Sequence, residues 1–138
     1  MKSKQEKVFI KYIKFACKKA KIKYPKIKNS TRMRYTAYAT VYKNEIRYNL
    51  SHINDLSNRD IRRIAFHEVG HFAKRAYKRW ESEYNAEKFA SSLIKTYYYY
   101  NFKWYKEMLK DFFEMYRTQK EKWQLPYIKA FKKLLKEV

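Results

Sequence analysis

The stretch that most constrains this chain is a helix carrying His67-Glu68-Val69-Gly70-His71. It opens at Ser57, which suits an N-cap with Asp60 three residues on. From there Ile61, Ala65, Val69, Phe72, Ala76 and Trp80 recur at steps of three or four, which predicts one continuous apolar stripe. His67 and His71 lie off that stripe and, four residues apart, share a face one turn from each other. The pattern predicts a helix with one side packed on a core and another lining a cleft. Gly70 is the single glycine of the chain. Mid-helix it costs about 1 kcal/mol relative to Ala, and it is best tolerated where something approaches the backbone closely.

The segments around this helix read as follows. Ser3 to Ala20 is an amphipathic helix with Phe9, Ile13 and Cys17 on its apolar side. Ile22 to Lys28, interrupted by Pro25, is at best a short edge strand. Met33–Tyr42 and Glu45–Leu50 read as strands, and Ile46, Tyr48 and Leu50 alternate with polar residues in the second. Lys43-Asn44 between them suits a tight hairpin, and Ser51–Leu56 is a connecting loop. A second helix runs from Ser82 to Tyr99 with Glu83, Ala86, Glu87, Ala90 and Ile94 on one face. Phe102 to Tyr116 marks a third, and Pro126 opens a last one. The expectation is a single domain over residues 1–138 of class α+β. It is mostly helical, with a small antiparallel β-ribbon of two or three strands.

Composition narrows the partners. A net charge of +21 on 138 residues points to a polyanionic partner such as nucleic acid. The lysines are spread along the chain, however, and Lys, Ile, Tyr and Asn are all abundant, as in proteins from AT-rich genomes. One cysteine, Cys17, excludes an intramolecular disulfide framework and a Cys-based zinc site. No apolar run approaches the ~18 residues of a membrane span. Lys11 and Lys14 interrupt the one N-terminal stretch that could pass for a signal peptide. The expectation is a cytoplasmic protein without a membrane span.

Two imidazoles spaced i, i+4 on a helix can bind one Zn²⁺. Catalytic zinc takes three protein ligands and leaves a position for water, and Glu68 between the histidines can take a proton from that water. The third histidine, His52, precedes the helix in a loop. An acid from the following helix is the better third ligand. Glu83 suits, and Glu87, one turn on, is either the ligand itself or a partner for the second ring nitrogen of a ligating histidine. Glu81 points elsewhere on a continuous helix.

His67-Glu68-Val69-Gly70-His71 followed by Glu83-Tyr84-Asn85-Ala86-Glu87-Lys88-Phe89-Ala90 resembles the gluzincin metallopeptidases. In that clan HExxH is completed by a glutamate on a following "glutamate helix". The short linker and small size look most like the minigluzincins. The resemblance implies a zincin-like domain with an active-site helix, and one Zn²⁺ per chain held by His67, His71 and Glu83. It makes Glu68 the catalytic general base and acid. Glu87 stands where relatives with an ExxAD pattern carry a supporting Asp, a departure that keeps Glu87 as an alternative ligand. The implied activity is hydrolysis of a peptide or protein substrate held against an edge strand, Met33–Tyr42 or Glu45–Leu50. His52, Tyr77, Tyr84 or Tyr97 would serve as the oxyanion donor. The match covers about residues 33 to 94 and leaves the helices of 102–138 outside. The competing expectation is a basic nucleic-acid-binding protein whose zincin core is inactive or acts on DNA-bound proteins.

Overall fold

The computed structural model describes residues 2–138, and the chain forms two compact units, Met1–Ala73 and Lys74–Val138. The first contains α1 (Lys4–Ala20), β1 (Lys26–Asn29), β2 (Ala37–Thr40), β3 (Glu45–Tyr48), α2 (Leu50–Ile53) and α3 (Asn58–Ala73). The second contains α4 (Arg79–Tyr97), α5 (Phe102–Gln119) and α6 (Leu125–Leu135). The class is α+β, mostly helical with one small sheet.

In the first unit α1 packs on α3. Ser3 caps α1 by accepting the Glu6 N–H at 3.1 Å, and Lys21 ends it in the left-handed region at φ 57°. The apolar side predicted from spacing is the buried one: Phe9, Tyr12, Ile13, Ala16 and Cys17. Phe66 of α3 meets Tyr12 edge-on and stacks on Phe15, each with centroids 5.8 Å apart. Arg62 donates to the Tyr12 hydroxyl at 3.1 Å. Burial pushes the Cys17 thiol up to about 11, so it is a protonated core group rather than a metal-binding thiolate.

The sheet departs from the predicted antiparallel ribbon. Its order is β1-β3-β2, with β2 antiparallel and β1 parallel to β3. Thr40 pairs with Glu45, so the β2–β3 connection is four residues with a 3-10 turn at Val41–Lys43, not a two-residue hairpin. Asn44 closes it at φ 52°, a conformation its short polar side chain tolerates. The strands are four residues each, too short for alternation to reveal their pairing. The segment after Tyr48 is the short helix α2 rather than a loop, because Asn49 caps it, accepting from the Ser51 N–H at 3.1 Å. Glu6 accepts a hydrogen bond from Tyr48, which ties α1 to the central strand.

In the second unit α6 packs against both α4 and α5. The residues buried in this unit include Leu93, Ile94, Phe102, Tyr105, Leu109, Phe131 and Leu134. Phe102 stacks on Tyr105 at 6.1 Å and Tyr116 on Phe131 at 6.0 Å. Between α5 and α6 a capping box joins Glu121 and Gln124, and Pro126 occupies the first turn of α6 as expected. Among the described residues no helix is long and apolar enough to cross a membrane.

Candidate metal centre

Ser57 starts α3 as predicted. Its hydroxyl accepts the Asp60 N–H at 3.3 Å and donates to the Asp60 carboxylate at 2.7 Å. The predicted apolar stripe runs through Ala76 and Trp80, but α3 ends at Ala73 and Trp80 belongs to α4. Lys74, Arg75, Tyr77 and Lys78 are exposed, so a continued helix would bury nothing there. The cleft-facing side is also more enclosed than predicted. Every residue from Ala65 to Gly70 is buried, as in a helix covered all round.

Within that stretch His67 and Glu68 are only 7% and 8% exposed, and His71 is half-buried. Ligand-capable atoms of His67, Glu68 and His71 all lie within 4.8 Å of one another. The two imidazoles stand nearly perpendicular, at 80°, with centroids 4.9 Å apart. A zinc ion shared by two imidazoles sits ~2.0–2.1 Å from a nitrogen of each. Two imidazoles beside a carboxylate form a nitrogen and oxygen donor set suited to a borderline metal such as zinc. Burying polar side chains is costly unless each is compensated, and the spacing of these three is compatible with a shared ion. Gly70 is buried and has no positive φ, so its backbone conformation does not call for glycine.

In the second unit Glu83 and Glu87 lie on the α4 face predicted from spacing, with Ala86, Ala90 and Ile94, and all five are buried. Glu83 is 6% exposed and Glu87 fully enclosed. The Tyr105 hydroxyl donates to the Glu87 carboxylate at 2.7 Å and approaches the Glu87 carbonyl at 3.3 Å. Helical spacing marks Tyr105 as core packing alone. Its apolar neighbours hide the hydroxyl's role, and spacing along α5 carries no signal for a partner on α4. Among the proposed oxyanion donors, Tyr84 is committed within its own unit, since its hydroxyl donates to Glu137 at 2.6 Å. His52 and Tyr77 are exposed, and Tyr97 is 45% exposed.

Comparison with protein-family models, with curated proteins and with solved structures finds no match.

Proposed function

We propose that the protein is a zinc-dependent peptidase of gluzincin type. The observation that carries this reading is the cluster of His67, Glu68 and His71 on consecutive turns of α3, with the first two buried and the third half-buried. His67 and His71 are the two imidazole ligands. Glu83 is the third ligand implied by the family resemblance, with Glu87 as the supporting or alternative carboxylate. When bound, Zn²⁺ supplies Lewis acidity, lowering the pKa of water toward ~7 and polarising a carbonyl.

The chain's own residues do the rest. Glu68 accepts the proton of the attacking water and returns it to the departing amine, a role worth about 10²–10⁴-fold. Its enclosure favours proton transfer by keeping competing solvent away. Tyr105 holds the Glu87 carboxylate in one orientation through its hydroxyl, the kind of outer contact that fixes a ligand or its neighbour. An extended peptide would add to the sheet at β2. Of the two candidate strands, β3 is central and already paired on both sides, whereas β2 is an edge and packs beside α3.

The test is metal content beside activity. Wild type purified without chelators should hold about one zinc per chain, and His67→Ala and Glu83→Ala should lose it. Glu68→Gln should retain the metal while cleaving a peptide library at least ~100-fold more slowly. Loss of zinc in Glu87→Ala but not in Glu83→Ala would move the third ligand one turn. Absence of zinc from reconstituted wild type would remove the reading altogether.

A further inference from the structure

The solvent side of α1 bears Lys4, Lys7, Lys11, Lys14 and Lys18 at steps of three and four, and all five are exposed. They form one ridge opposite the Phe9, Ile13 and Cys17 face that packs against α3. At 1.5 Å per residue the ridge is ~21 Å long. Lys7, Lys11 and Lys14 join Lys2 and Ile10 in lining a groove, whose walls are the aliphatic lysine stems. Like charges at i, i+4 repel, so the ridge works against helix stability rather than for it.

The acids of the same unit do not neutralise it. Glu6 accepts from Tyr48, Glu45 holds Lys28 and Arg47, Asp60 is bonded to Ser57, and neither Asp55 nor Glu68 pairs with a ridge lysine. Among the described residues no carboxylate pairs with any ridge lysine. At the far end stands Tyr24, 41% exposed, with the Lys14 ammonium 5.8 Å from its ring centroid.

The geometry points to a track for a single nucleic acid strand, with phosphates along the α1 lysines and a base on the Tyr24 ring. A linear row of ammonium groups matches a linear polyanion and is indifferent to base sequence. A partly exposed aromatic ring beside such a row is the second component of sequence-tolerant single-strand binding. An anionic bilayer fits less well. Helices that lie on membranes insert an apolar face, and the apolar face of α1 is spent on the core. This inference is independent of the metal centre.

The test is fluorescence anisotropy of a labelled oligothymidylate of about 12 nucleotides, titrated at several salt concentrations. Lys7→Gln/Lys11→Gln/Lys14→Gln should lower the slope of log affinity against log salt by about 2, at ~0.7 for each phosphate no longer neutralised. The control Lys103→Gln/Lys110→Gln/Lys122→Gln removes the same charge from exposed positions of the second unit and should change that slope far less. Tyr24→Ala should weaken binding at least ~5-fold, while Tyr24→Phe, which keeps the ring, should bind as wild type does. Circular dichroism melts establish that each variant is folded. Equal slope losses in the two lysine triples, equal affinities for the two Tyr24 variants, or stronger binding to phosphatidylserine vesicles than to the oligonucleotide would each overturn the inference.

Discussion

At the scale of single residues, the buried acids carry the most information. Glu68, Glu83 and Glu87 are each enclosed, and a buried carboxylate is tolerated only with partners. Glu87 shows one such partner in the hydroxyl of Tyr105, itself fully buried. Tyr105→Phe keeps the ring and its packing on Phe102 but strips a donor from a buried carboxylate. It should lower the unfolding free energy by about 1–3 kcal/mol, measured by urea denaturation. If Glu87 supports the metal centre, the same variant should also bind zinc more weakly while Tyr116→Phe, on the same helix, leaves it unchanged. The core of the site is legible in the sequence because HEVGH fixes two side chains on one helical face from spacing alone. The Tyr105 contact is not, because it joins two helices through a hydroxyl that no periodicity records.

At the scale of elements, the long helices can be read because each has an apolar stripe of several turns. α1, α4 and α5 begin and end within a few residues of where spacing and caps place them, and α6 begins one residue before Pro126. Strands of four residues hold too few alternations to specify partners, so neither the parallel pairing of β1 nor the four-residue turn before β3 is written in the pattern. The lysine ridge is hidden for another reason. Along the linear chain the charges look evenly spread, although the same 3.6-residue period that sorts the apolar residues also puts five lysines on one side. Packing of α6 on α4 is reinforced beyond its apolar contacts by Glu137, which accepts from Tyr84 and pairs with Lys88 at 3.3 Å. The Tyr84 hydrogen bond and the Lys88 charge hold the Glu137 carboxyl below the usual carboxylate range. Its contribution is therefore present above the unfolded value of ~4.3 and is lost as pH falls through the folded one. Hydrogen bonds to Tyr84 and Glu137 raise Lys88, so that part is present below ~10.4 and fades as pH rises above it. Glu137→Gln should cost under about 1 kcal/mol near neutrality, since both side chains are solvent-screened. Urea melts of variant and wild type should converge well below pH ~4.

At the scale of the whole molecule, +21 charge on 138 residues makes self-repulsion a general destabilising force. Raising salt from about 0.01 to about 0.1 M shortens the screening length from ~30 to ~10 Å. The melting temperature should therefore rise over that range, and a scanning calorimetry series that showed no rise would mean the charges are already compensated. The order of strands in the sheet carries a consequence for how the first unit assembles. β1 is made first but hydrogen-bonds only to β3, the last strand of the three. On a growing chain it has no sheet partner until β2 and the Val41–Lys43 turn have emerged. The local β2–β3 pairing can close early, at the microsecond pace of hairpins, whereas the β1 edge must wait for a long-range closure. During synthesis, the lysine-rich N-terminal segment thus passes through an interval in which α1 can coil but its neighbouring strand still dangles.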